Sequence, residues 1–364
     1  MAQEPAIAVI QMEAAGHRLR YVRLLLCAVT EKRRLLLVPA AVRDSAEFAE
    51  HLADVPTEVV VVPDSGREAM ALALPTARDR GARLVVPDGD KNVAPLLLAL
   101  LRPGPRVAVS VLLMRTALPG GPEPATPGMA LKPALAGVLA RLPGVRVRFL
   151  TDAFGVVVRR RGFRGIEPVR DPVTVAESSP REGDRAFAVG VFGVVSARKN
   201  LPVLLAALAG AADDDPVAGV HLVVGGRCET DVRDVLDHSP EATSLADAGR
   251  LHVDDRLLTE KEFDAAVAGV DAVAVLHDND APSGIVAEAA ARGVPVLGPD
   301  RGWASSMVTG TGIGEVARVD DPVDVRAALG RLVTSHGRRA TAAIRVRKRL
   351  GTTHFIDGLL GDVT

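Results

Sequence analysis

Two short turns in the second half of the chain carry residue types that could hold a phosphate. At the first, an apolar run passing through Gly193 and Val194 gives way to a polar stretch containing Arg198 and Lys199, after which a helical pattern begins at Asn200. Cations at a helix start oppose the helix dipole, so an anionic partner explains them better than stability does. At the second, Ser283-Gly284 opens a helical run, where free backbone N–H groups and the positive dipole end suit an anion. Glu288 lies four residues beyond Gly284, about one turn in, where its carboxylate could accept hydrogen bonds from sugar or ribose hydroxyls. In the first half, Asp88-Gly89-Asp90 follows an apolar strand, and carboxylates at i and i+2 can share a hard cation. His17, in Gly16-His17-Arg18, has the near-neutral pKa of a general base and could meet a phosphate or a hydroxyl.

The bulk properties narrow the partners. Lys and Arg number 44 against 45 Asp and Glu, so no basic excess draws the chain to nucleic acid, and no nucleic-acid-reading motif is present. Arg heavily outnumbers Lys amid abundant Ala, Val and Gly, which lowers the meaning of any one arginine cluster. Cys27 and Cys228 lie far apart without metal-ligand spacing and read as buried thiols of a reducing cytosol. The first residues lack a signal-peptide pattern, and no apolar run is long enough to span a bilayer. The expected location is cytoplasmic. Arg18, Arg20 and Arg23 with Lys32, Arg33 and Arg34 give the first helix basic ends, which read as a solvated face or as a peripheral contact with an anionic inner membrane face.

At 364 residues the chain suits two domains. Apolar strand-like runs at 7–10, 35–39, 58–62, 83–86, 106–113 and 145–150 alternate with helical stretches at 18–29, 65–80 and 132–142. The alternation predicts βαβ units and parallel sheets. Between 167 and 185 the pattern dissolves into Pro, Ser and charge, which places the domain seam there. A second series follows, with strands at 187–194, 219–224, 250–253 and 272–276, and helices at 200–208, 230–237 and 259–268.

The stretch from Ser283 to Val296, with its acid, small-residue helix and Gly293-Val294-Pro295-Val296 strand start, resembles the donor-site helix of GT-B glycosyltransferases, especially glycosyltransferase family 4. That family carries two acids separated by seven residues, which puts Asp280 before Glu288 and makes the pair Asp-x7-Glu. The turn from Gly193 to Leu201 is similar to the family's phosphate turn. Lys199 falls on its lysine, while Val194 stands where an arginine is usual, so Arg198 is expected to take over that charge. The resemblance covers roughly 187–330. It implies two Rossmann-like domains with an interdomain cleft: an acceptor domain at 1–174, a donor domain at 175–337, and a helical tail at 338–364 packing back towards the first domain.

The resemblance further implies sugar transfer from a nucleoside diphosphate sugar to an acceptor hydroxyl, with retention, without cofactor or metal. Negative charge develops on the leaving diphosphate, which cations and N–H donors stabilise. Lys199, Arg198, Gly193, Ser283 and Gly284 would hold the diphosphate. Asp254 and Arg256, after the strand at 250–253, would flank the base, with the backbone reading its edge. Asp280, Glu288 and His17 are the candidate catalytic residues, since inverting GT-B enzymes often place a base His where His17 stands. Asp88 and Asp90 would then meet acceptor hydroxyls of a glycan, a lipid-linked sugar or a small molecule. The departures at Val194 and Asp280, and the lack of the cleft histidine many relatives carry, support a rival reading as a GT-B protein that binds a nucleotide sugar or a partner protein without catalysis. An epimerase would need several acids and a His in the second half, where only His277 is near.

Overall fold

Strand β1 (Ala6–Ile10) is buried along its whole length, and its alternate residues serve two different cores. Ile7 and Val9 pack with Leu19, Val22, Leu25 and Leu26 of the helix Arg18–Cys27. Ala8 and Ile10 pack with Met70 and Ala73 of the helix Gly66–Asp79 and with Leu96 of the helix Val93–Leu100. Because successive side chains point to opposite faces, an all-apolar strand of this kind belongs in a sheet covered by helices on both sides.

The computed structural model describes residues 6–14, 18–102, 106–114, 134–155, 166–175, 186–277 and 283–361. His17 and Asp280 lie outside them. The chain divides into two compact units, Met1–Pro172 with Thr352–Thr364, and Val173–Gly351. In the first unit β1 is joined by β2 (Arg34–Val38), β3 (Glu58–Val61), β4 (Ala82–Val86), β5 (Val109–Leu113), β6 (Val145–Thr151) and β7 (Glu167–Arg170), in the order β3-β2-β1-β4-β5-β6-β7. All pairings are parallel, with Val9 opposite both Leu36 and Val85.

The second unit contains β8 (Ala188–Phe192), β9 (His221–Gly225), β10 (Leu251–Asp254), β11 (Ala272–Ala274), β12 (Val296–Pro299) and β13 (Gly314–Ala317), in the order β10-β9-β8-β11-β12-β13. That is the 3-2-1-4-5-6 winding of a dinucleotide-binding sheet. One of its cores joins Val189 and Val191 to Leu201, Leu204 and Leu208 of the helix Leu201–Ala209 and to Val325 and Leu329 of the helix Pro322–Thr334. The predicted pair of Rossmann-like α/β sheets is therefore present.

Three expectations change in detail. Residues 167–170, read as part of the seam, form the edge strand β7, where Pro168 is tolerated because an edge strand needs only one hydrogen-bonded side. The helix His336–Arg347, expected to begin the returning tail, belongs to the second unit and packs on the helix Gly284–Ala291. Only the helix Thr353–Leu360 joins the first unit, where Phe355 meets Tyr21 with ring centroids 5.0 Å apart. Cys27, expected to be buried, is exposed, whereas Cys228 is buried.

Candidate functional site

In the second sheet the chain runs from β8 to β9 on one side and returns to β11 on the other, so the strand order reverses between β8 and β11. Ligands of open α/β sheets bind outside the carboxyl ends of the strands at such a reversal. The turn after β8 is built tightly against its neighbour. Gly193 (φ +90°) donates its N–H to Gly225 O at 3.0 Å, and a Cβ on Gly226 (φ +126°) would lie 2.1 Å from Gly193 O. Val195 is fully buried and bridges to Cys228, anchoring the turn, while Val194 is exposed. A 3-10 turn, Ala197–Lys199, then presents the two cations.

Lys199 Nζ donates to Phe192 O at the end of β8. Asn200 adopts the left-handed conformation (φ 51°), which Asn tolerates better than most residues, and its Nδ2 reaches Leu276 O at 2.6 Å. The turn thus spans the reversal point from β8 to the end of β11. Burial, then the neighbouring Arg198, lowers the Lys199 ammonium from its ordinary 10.5 to about 8. His277, one residue past Leu276, is lowered to about 4 by burial and then by Lys199 and Arg198, so it is neutral near pH 7. Sequence reasoning noticed His277 only for a rival reading. Its signal was its place directly after the strand that ends at the reversal. Arg198 is exposed on the 3-10 turn.

Ser283 precedes the helix Gly284–Ala291 in an extended conformation and makes no capping side-chain hydrogen bond, which leaves the first N–H groups for an outside acceptor. Glu288 lies on this helix but is buried, and its Oε2 accepts from Arg292 Nη1 at 2.7 Å. Arg292 also holds Asp264 of the helix Glu260–Ala268. The expected ribose-binding acid is therefore one member of a buried ion cluster, a contact that sequence reasoning did not assign.

Beside the turn lies a pocket of about 210 Å³ lined by Phe192, Gly225, Val253, Asp254, Leu258 and Glu262, among others. Gly190 and Gly225 leave space for the Phe192 ring, since a Cβ would fall 2.2 Å and 2.9 Å from it. The ring meets Phe263 edge-on at 6.3 Å. Asp254, expected to flank the base, lines this pocket. Arg256 is taken up within the protein, paired with Asp254 at 2.9 Å and with Glu262 at 2.8 Å. Glu262 completes a capping box with Thr259, and Arg256 followed by the Thr259 N–H draws its carboxyl down to about 2. The expected Arg256 contact with a ligand competes with these pairs.

At the reversal point of the first sheet, between β1 and β4, Asp88 is buried and accepts from Arg18 Nε at 2.5 Å. A Cβ on Gly89 would meet Val111 at 2.5 Å, so glycine is required between the two aspartates. Arg18 also pairs with Glu13 at 3.3 Å, and Arg23 is held bidentately by Asp54. Among the described residues no group of three metal-ligating side chains is present, and the Asp88 carboxylate is matched by a guanidinium.

No protein-family model matches this chain, and no curated protein matches it. Solved structures match across nearly the whole length. HepE of Anabaena, crystallised with UDP, is 16% identical, with 97% of each chain covered and a TM-score of 0.68. A glycosyltransferase of Rickettsia africae is 8% identical over 99% of this chain and 100% of its own, with a TM-score of 0.69. The fold is GT-B. Sucrose-phosphate synthase of Thermosynechococcus elongatus shares this GT-B fold at 14% identity, covering 97% and 96% of the two chains with a TM-score of 0.62. No helix among the described residues is long and apolar enough to cross a membrane.

Proposed function

We propose that this GT-B protein is a glycosyltransferase that moves a sugar from a nucleoside diphosphate to an acceptor hydroxyl, with retention and without a metal ion. The observation that carries the reading is Lys199 at the strand-order reversal, desolvated beside Arg198 and followed in the fold by an uncapped helix start at Ser283. A desolvated cation gains most from an arriving dianion, and donors fixed in advance stabilise charge as it develops. In the proposed reaction the bond from the anomeric carbon to the diphosphate oxygen breaks and the acceptor oxygen bonds to that carbon. The acceptor proton passes to the departing diphosphate. Lys199, Arg198 and the N–H groups at Ser283 and Gly284 receive the leaving group, the pocket beside Val253 and Asp254 takes the base, and Glu288 holds ribose hydroxyls.

HepE was crystallised with UDP and with UDP-glucose, which supports a diphosphate as the first ligand to try. The first unit offers Asp88 and Asp90 to an acceptor, although Arg18 already holds Asp88. Arg18 and Arg23, two of the six basic residues that suggested a peripheral membrane contact, are paired with carboxylates, which supports the reading of a solvated face. UDP, GDP and ADP compared by thermal shift test the reading. At 100 times its dissociation constant a ligand adds about 2.7 kcal/mol, which raises the midpoint of a unit this size by about 5–11 °C. No shift with any of the three overturns it. The second reading, binding without catalysis, is favoured by the commitment of Glu288 to Arg292 and of Arg256 to Glu262. Diphosphate binding with neither transfer to an acceptor nor slow donor hydrolysis would select it.

A further inference from the structure

Arg292 directly follows the helix Gly284–Ala291, and its side chain is only 1% exposed. Nη1 donates to both Glu288 Oε2 at 2.7 Å and Glu288 O at 2.8 Å, while Nη2 donates to Asp264. Nε is buried with no acceptor among the described residues. An incompletely satisfied buried cation is a poor device for stability, since a well-packed apolar residue of similar volume does as well or better. Its geometry suggests a different use. A guanidinium is a rigid planar fork, so a carboxylate holding one prong fixes the direction of the other. Here Asp264 holds one prong and Glu288 receives the other.

The two carboxylates come from helices that border different parts of the candidate site. Glu288 belongs to the helix that starts at Ser283-Gly284, and Asp264 to the helix whose Glu262 and Ala266 line the pocket beside β10. Arg292 is the ionic link between them. Left unpaired, a glutamate chooses among several rotamers; clamped at Oε2, it keeps one orientation without loss of charge.

We propose that Arg292 is a positioning residue that aims the Glu288 carboxylate at the ribose hydroxyls of a bound nucleoside diphosphate, with Asp264 fixing Arg292 in turn. The proposal rests on the donor-site reading and adds the origin of its sugar recognition. Arg292 itself touches no ligand. A carboxylate accepting from ribose hydroxyls discriminates against a sugar that lacks them, and removing the clamp abolishes that discrimination while leaving diphosphate and base contacts in place.

The test uses the full chain and calorimetric affinities for UDP, GDP and ADP and their 2′,3′-dideoxy counterparts. For whichever base binds, the wild type should prefer the ribose form by about tenfold or more. Arg292→Gln should bring that ratio close to one while affinity for the dideoxy form stays within about twofold. Arg292→Lys, which keeps the charge without the fork, should recover only part of it. Asp264→Asn lies on a side chain 31% exposed, tolerates change better, and should lower the ratio partway. If Arg292→Gln keeps the wild-type ratio, or if Arg292→Gln does not fold and Asp264→Asn leaves the ratio untouched, the positioning role is wrong. A wild type that binds a diphosphate without preferring ribose removes the hydroxyl-binding role from Glu288, and the proposal falls. A wild type that binds none of the three overturns the donor-site reading itself.

Discussion

Raising the pH from 7.5 to 9.5 should weaken diphosphate binding to the second unit while it strengthens that unit's fold, and both effects trace to one amine. Lys199 is lowered from 10.5 to about 8 by burial and by Arg198. At about 1.4 kcal/mol per pH unit, holding its charge in the ligand-free protein costs on the order of 3 kcal/mol. In the unfolded chain the amine returns to its ordinary value. Between pH 8 and 10.5 the unfolded state therefore carries more protons, and stability rises with pH across that window. A bound diphosphate acts in the opposite sense, because its negative charge favours the ammonium and raises the pKa again. Its own terminal ionisation, near pH 6, is complete well before this range. Binding should then take up a proton. At pH 8.5 the free amine is about three-quarters deprotonated, so uptake should approach about 0.75 proton per site, and affinity should fall by up to about tenfold per pH unit above 8. Calorimetric titration of UDP at pH 8.5 in two buffers of different ionisation enthalpy reads the uptake, and urea denaturation at pH 8 and 10 reads the stability. Lys199→Met should abolish both slopes. Uptake near zero in the wild type, with affinity constant from pH 7.5 to 9.5, would refute the placement of Lys199 against the diphosphate.

Glu288→Ala leaves Arg292 buried with Asp264 and a carbonyl as partners, so it should cost about 2–4 kcal/mol and lower the melting midpoint by roughly 5–15 °C; an unchanged midpoint would dissolve the buried cluster. His277 is held near pKa 4 against 6.5 when unfolded, so the unfolded chain gains the extra proton first. Stability should fall as pH drops from 6.5 to 4, and urea denaturation at pH 7 and 5 should show a smaller loss in His277→Gln. Asp280→Asn should lower turnover far more than nucleotide affinity, and equal turnover takes Asp280 out of the reaction. Chelation with EDTA should leave turnover unchanged; loss of activity restored by manganese would shift attention to Asp88 and Asp90.

The alternation of strands and helices is legible in this sequence because most strands are short apolar runs, and β1, β5 and β8 are buried along their whole length. Edge strand β7 is not legible. Its Glu-Pro-Val-Arg has no strand pattern of its own, and it is held by β6 and by Gly358, where a Cβ would fall 2.2 Å from Val169. The helix Gly302–Thr311 is hidden for a related reason. Its run of Gly, Ser and Thr has weak helical preference, and the burial of Ala304, Met307 and Val308 decides its conformation. In the candidate site, the turn that carries Lys199 can be read from sequence because its residues, Gly193 to Asn200, are contiguous. The fate of Glu288 cannot, although Arg292 stands at the i,i+4 spacing where ion pairs form. Burial of that pair depends on Asp264, which sequence places on another helix without saying which way it faces. The pairing of Arg256 with Glu262 is also local, six residues apart, yet a capping glutamate already has a sufficient reason to be there.

The first unit is interrupted. Its chain leaves at Pro172, the whole second unit follows, and the helix Thr353–Leu360 then returns to bury Phe355, Leu359 and Leu360 in the first core. The unit synthesised first is thus the one completed last. Until the helix Thr353–Leu360 has emerged from the ribosome, Tyr21 lacks its Phe355 neighbour and Arg148 lacks the Gly358 carbonyl it holds at 3.1 Å. The second unit is continuous and can close as soon as it has been made. A nascent chain would therefore carry a finished second unit behind an open first one, and removal of the helix Thr353–Leu360 would strike a core whose other members lie before residue 173.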